Sequence, residues 1–178
     1  MAEIVNIHDK RSLSALDNLS RIEGQAKERF TKLSHFKEQE YASSIWQYKG
    51  KKLYFREASN KPAYNTLIDQ IIKSFVLSAL WRNRLKTEPL SYSRIRDLAD
   101  AGRDLHRANI KCLSELSSQK YSDIWKRIVE SGSNVGSKIN NLNSLITYLD
   151  KEHVLPSQID IIRAPQRLIN PGSRNFCG

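Results

Sequence analysis

Between Arg11 and Phe36 apolar residues return every three or four positions, at Leu13, Leu16, Leu19, Ile22, Ala26, Phe30 and Leu33. That spacing brings side chains to one face of an α-helix. It predicts a single amphipathic helix over residues 11–36, with Gly24 inside it costing about 1 kcal/mol against alanine, so the helix needs tertiary support. The period then changes to two. Trp46 and Tyr48 alternate with polar neighbours, Lys49-Gly50 supplies a turn, and Leu53 and Phe55 resume the alternation, which predicts a short β-hairpin. Two strands alone are marginal, so the hairpin should pack on a helix or pair with something outside the chain.

Ser59-Asn60-Lys61-Pro62 punctuates the pattern and marks a candidate boundary. Helical spacing dominates after it. Leu67, Ile68, Ile71, Ile72, Phe75, Val76, Ala79 and Leu80 form a band wide enough for a helix over 64–84 that is buried on more than one side. Ser91 or Ser93 can cap a second helix bearing Ile95, Leu98, Ala99, Gly102 and Leu105. Ser117-Ser118 precedes a third, with Tyr121, Ile124, Trp125, Ile128 and Val129, which stops at Ser131-Gly132-Ser133. The fourth, over 135–150, carries Val135, Ile139, Leu142, Ile146 and Leu149, with Lys138, Asn140, Asn141, Ser144, Thr147 and Lys151 on its polar side, and Pro156 ends it. The fold class expected is mainly α: a compact helical bundle over residues 61–156, preceded by a helix-and-hairpin appendage over 1–60 and followed by a linker over 157–178.

Composition narrows the function classes. The 178 residues carry 29 Lys+Arg against 19 Asp+Glu, a formal net charge of +10. An excess of that size favours a polyanionic partner, and double-stranded DNA is the leading candidate, because each phosphate neutralised by Lys or Arg releases a condensed counterion. The excess is spread as +3 over residues 1–60, +5 over 61–154 and +2 over 155–178, which resembles a folded domain with a basic face more than a basic tail. No stretch of about 18 apolar residues is present to span a bilayer, and no secretory signal pattern opens the chain, so a cytoplasmic protein without membrane association is expected. Cys112 and Cys177 form no C-x-x-C, so both are expected as reduced thiols, with no metal and no cofactor.

The order of elements also resembles a known family. A long apolar helix leads to a serine-started helix at S-Y-S-R-I-R-D-L, a short tryptophan-bearing helix at Y-S-D-I-W-K-R-I, and a helix at G-S-K-I-N-N-L-N-S-L-I-T-Y-L running into D-K-E-H-V-L-P. Across residues 60–156 this is similar to the core-binding domain of phage-integrase-type tyrosine recombinases. The resemblance implies a SAM-like helical domain that clamps the crossover-site duplex together with a separate catalytic domain. It also implies further recombinase protomers on the DNA and no small-molecule substrate. In that family a tyrosine nucleophile, arginines, a lysine and histidines stabilise the transition state. None of these is assignable here, so no catalytic residue is expected in this chain, and it reads as the amino-terminal part of a longer recombinase or a naturally short relative.

Candidate contacts follow from residue type and placement. Arg82, Arg84 and Lys86 leave the end of the central helix together, and Ser91, Tyr92 and Arg94 begin the next. Helix amino termini present free N–H groups and a positive dipole, so Ser91 and the Ser137-Lys138 start are suitable anion sites. Lys120, Lys126, Lys138 and Asn141 extend the track, with Asn141 able to read an adenine edge from a helix in the major groove.

Other residues invite blander explanations. His8-Asp9-Lys10-Arg11 has H-x-x-R spacing but lies ahead of the bundle. Tyr64, Tyr92, Tyr121 and Tyr148 lack a neighbouring constellation to activate a phenol of ordinary pKa near 10, which leaves packing or phosphate hydrogen bonding. Asp97, Asp100 and Asp104 interleave with Arg94, Arg96, Arg103 and Arg107, which favours ion pairs over metal binding. Trp81 and Trp125 are expected in the core, while Trp46 can face either core or partner. The rival to DNA binding is a helical protein-interaction module whose charge is incidental.

Overall fold

The computed structural model describes residues 7–163 of the chain. Its elements are α1 (Ile7–Lys32), β1 (Ile45–Tyr48), β2 (Lys51–Tyr54), α2 (Thr66–Arg82), α3 (Tyr92–Arg107), α4 (Ser118–Ser131) and α5 (Val135–Lys151), with single 3-10 turns at Ser34–Phe36 and Leu113–Glu115. The protein is thus mainly helical, with one two-stranded antiparallel sheet. Among the described residues no helix is long and apolar enough to cross a membrane.

Local chemistry sets most of the helix ends. Asn65, Ser91 and Ser117 cap α2, α3 and α4, each accepting a hydrogen bond from the backbone N–H three residues on. Gly132 takes the left-handed conformation that stops α4 at φ +67°. His153, also left-handed, closes α5, so that helix ends at Lys151 and not at Pro156.

In α1 the buried stripe is Ala15, Leu19, Ile22, Ala26 and Phe30, continued by Leu33 just past its end, whereas Leu13 and Leu16 remain 65% and 53% exposed. Each step of three residues falls about 60° short of a full turn, so the successive threes from Leu19 back to Leu13 walk off the face that the remaining spacing defines. Every position from Ile71 to Leu77 of α2 is buried, making it the central helix. At Gly102 of α3 an added Cβ would lie 2.8 Å from the Tyr64 ring and 2.9 Å from Ile72, so this glycine sets how closely α3 approaches α2.

The hairpin turns through Lys49 (φ +50°) and Gly50 (φ +75°), the two positive φ values of a type I′ turn. Trp46 and Leu53 face each other in register, and with Tyr48 and Phe55 they are fully buried. They meet Phe30 and Phe36, which stack at 4.9 Å, while Trp46 and Phe55 lie 4.5 Å apart. Trp46 therefore belongs to the core. Into this aromatic cluster α2 sends Lys73, fully buried, donating to the Tyr41 carbonyl at 2.9 Å and paired with Asp69 at 2.9 Å. Its ammonium lies 5.2 to 5.4 Å from the Tyr41, Trp46 and Phe55 rings.

Helix α1 and the hairpin share one continuous core with α2 to α5, and a bridge between Arg56 and Ala63 carries the chain across residues 59–62. The described part of the expected linker is likewise packed: Ile159 is buried, and Ile162 accepts from Trp125 Nε1 at 3.2 Å and Asn143 Nδ2 at 3.0 Å. Residues 164–178, with Cys177, and the side chain of His8 lie outside the described residues.

Candidate functional site

Three helices border a surface groove of about 860 Å³: the end of α2, the start of α3 and the polar face of α5. Its floor is apolar, from Phe75, Ala79, Leu90, Leu98 and Tyr148, and its rim carries four cations, Arg82, Arg94, Lys151 and Arg163. Along α5 the residues Asn140, Ser144, Thr147 and Lys151 follow one another at helical spacing and form a continuous hydrogen-bonding wall. One carboxylate, Glu152, lines the groove, and Arg21 of α1 holds it at 3.0 Å while also donating to its carbonyl. Among the described residues none of the four rim cations has an ion-pair partner. Burial pushes the Tyr148 hydroxyl well above its ordinary pKa, so it stays protonated and available as a donor.

A second cleft, of about 540 Å³, lies between α3 and the start of α5 and is charged in a different way. Arg96, Arg103, Arg107 and Lys138 line it, but so do Asp97, Asp100 and Asp104. Arg103 pairs with Asp100 at 3.2 Å and Arg96 contacts Asp97 at 3.4 Å. Burial raises the Asp100 and Asp104 carboxyls above the usual carboxylate range, against the opposing pull of the neighbouring arginines and Lys138.

The eleven residues read from the sequence as a single DNA track are divided by this architecture. Arg82 and Arg94 meet in the groove, whereas Ser137, Lys138 and Asn141 line the second cleft. Asn141 is 95% buried, with its carbonyl oxygen accepting from Arg94 Nη1 at 2.9 Å, so it ties α5 to α3 and is not presented to a base edge. The Ser91 hydroxyl caps α3. Tyr92 donates to the Lys52 carbonyl at 2.6 Å and ties the hairpin to α3. Lys120 reaches the Ala108 carbonyl at 3.2 Å and closes the end of α3. Arg84 stacks on Trp81, and Lys86 and Lys126 are exposed elsewhere.

Lys151, Arg163, Asn140, Ser144 and Thr147 were absent from that set. Their signal was present in the polar stripe of α5, but nothing local says that the stripe faces the arginines of α2 and α3. Trp81 and Trp125 also differ from expectation, since both are half-buried at the edge of the core. Tyr64 precedes α2 instead of lying within a helix. No family model, no curated protein and no solved structure matches the chain.

Proposed function

We propose that this chain binds double-stranded DNA, with the groove between α2, α3 and α5 as its principal phosphate-contacting surface. The observation that carries the reading is the set of four rim cations that have no ionic partner among the described residues, beside a wall of amide and hydroxyl groups. Unpaired guanidinium and ammonium groups keep their full attraction for phosphate, and neutral donors can register the strand. In the reading taken from the helix order of residues 60–156, the chain is the cytoplasmic DNA-holding half of a site-specific recombinase or integrase. It lacks a catalytic role of its own and orients a separate catalytic domain and neighbouring protomers on the crossover site.

The test is binding of the purified chain to random and candidate attachment-site duplexes across a salt series, with a check for nicking. The reading expects affinity that falls steeply with salt and no strand cleavage. Binding that ignores salt, or none at low salt, would reject it. The second reading, a protein-interaction module, draws support from Leu13 and Leu16, which lie exposed together near the start of α1. It expects a salt-insensitive partner and loss of binding in Leu13→Ser with Leu16→Ser.

A further inference from the structure

The three tryptophans of this chain stand in three different states. Trp46 is fully buried and donates its indole N–H to the Tyr41 carbonyl at 3.3 Å. Trp125 donates to the Ile162 carbonyl. Trp81, at the end of α2, is half-buried, and its N–H has no acceptor among the described residues. Tryptophan is favoured at interfaces because it presents an apolar body with a polar handle, and the Trp81 N–H is not among the buried polar groups left without a partner, so it is open to solvent.

The surroundings of Trp81 are cationic. The Arg84 guanidinium lies over the ring at 4.1 Å from its centroid, oriented by a 2.7 Å hydrogen bond from Nη1 to the Trp81 carbonyl. Arg29 of α1 approaches to 5.9 Å. Two shallow depressions flank the ring, of about 300 and 230 Å³, and Lys32 borders both. Leu85, 88% exposed, stands on the rim of the larger one. Of the acids nearby, Glu28 is taken by Lys32 in an i,i+4 pair. The result is a half-buried ring overlain by a guanidinium, beside an apolar rim and the unpaired Arg29.

We propose that Trp81 and Arg84 form a stacking platform for an unstacked nucleobase, with Arg29, which has no ion-pair partner among the described residues, holding the adjoining phosphate. Every base has a π-face, so stacking on tryptophan or on a guanidinium plane is tolerant of sequence, while the cations track the backbone. The platform lies beside the groove, since Asn83 and Leu90 border both the groove and the larger depression. A strand whose duplex portion occupies the groove therefore has a neighbouring place for a base that has left the stack. This inference rests on the nucleic-acid reading and adds a second ligand state to it.

The base can come from a single strand or from a distorted duplex, and the test separates them. Tryptophan emission of the intact chain is followed during titration with a short oligothymidine, a perfect duplex, and the same duplex carrying a one-base bulge. The expected result is quenching by the single strand, the bulged duplex or both, whichever supplies the base, and little quenching by the perfect duplex. Trp81→Leu should bind the quenching ligand about tenfold more weakly while binding the perfect duplex as before. Trp81→Phe should recover most of that loss. Arg84→Ala removes the stacked plane at an exposed position without risk to the core, and should weaken the same ligand several-fold. Equal affinity of Trp81→Leu and wild type for all three ligands, with salt-dependent duplex binding intact, would overturn the platform and leave the groove standing. No binding of any of the three would reject both.

Discussion

The groove and the second cleft share α3 and α5 as walls and carry four cations each, yet they are chemically different surfaces. In the second cleft Asp97, Asp100 and Asp104 stand among the arginines. In the groove the one carboxylate is already held by Arg21. Lys73 extends the comparison inward, as a cation surrounded by aromatic rings and tied to Asp69 and a carbonyl. A positive side chain thus stands in three settings here: unpaired among the described residues on a groove rim, paired with a neighbouring carboxylate, or fixed in the core. The set of partners around it decides which, and the number of lysines and arginines does not.

The sharpest way to break the comparison is to reverse charge on the groove alone. Arg82→Glu, Arg94→Glu and Lys151→Glu together should weaken duplex binding at least a hundredfold, about 3 kcal/mol, and lower the log–log salt slope by about three. The same reversal at Arg96, Arg103 and Arg107 should cost much less in fluorescence anisotropy titrations. Equal losses would erase the distinction between the two surfaces.

The inner cation is tested by denaturant unfolding. Lys73→Ala leaves Asp69 without its partner and opens space among Tyr41, Trp46 and Phe55, so it should destabilise by about 2–3 kcal/mol. Lys73→Met fills the space with an uncharged chain and should lose less than half as much. A methionine variant as unstable as the alanine variant would show that the charge itself holds the hairpin to α2.

Neutralising the acids of the second cleft should make it resemble the groove. Asp100→Asn with Asp104→Asn removes the carboxylates opposing Arg103 and Lys138, while Asp97 still faces Arg96 and Glu57 still pairs with Arg107, and duplex affinity should rise a few-fold. The same variant gives a pH dependence of known sign. Burial raises both carboxyls above their unfolded values, so their ionisation opposes folding, and this penalty is absent at low pH and develops as pH rises through the raised values. The double variant should therefore gain stability relative to wild type at neutral pH, with the gap closing as pH falls toward the ordinary aspartate range near 4. Thermal melts from pH 4 to 8 read this directly.

The smallest effect serves as a control. Gly24 lies mid-helix in α1, exposed, with nothing within 4 Å of an added Cβ. Gly24→Ala should stabilise by about 0.5–1 kcal/mol and leave duplex affinity unchanged. A change in binding would mean that α1 communicates with the groove, a route that the Arg21–Glu152 contact offers.

Much of the fold was legible residue by residue. Ser91, Ser117 and Gly132 marked helix ends because their hydrogen bonds and backbone preferences act within one turn. The alternation of Trp46, Tyr48, Leu53 and Phe55 around Lys49-Gly50 specified the hairpin, but left open whether Trp46 faced the core or a partner. Lys73 was missed because a lysine in an apolar run gives no local sign that Asp69 and three aromatic rings will receive it. The site was legible only in fragments. Arg82 and Arg94 stood out as cations near helix ends, but Lys151 and Arg163 join them through the packing of α5 and the segment after it. Tyr92, Lys120 and Asn141 looked equally available in the sequence and are taken by backbone and side-chain partners distant along the chain.

By itself, the sequence determined the element types, most helix ends, the helical class and the surplus of positive charge. These depend on spacing, capping and composition, which operate over a few neighbouring residues or over the whole count. Tertiary structure alone decided that the amino-terminal helix and hairpin share the core, which cations are paired, and where the unpaired ones gather. Such properties depend on which side chains meet across helices. A charge keeps its attraction for a partner outside the protein only when no opposite charge lies within a few ångströms inside it.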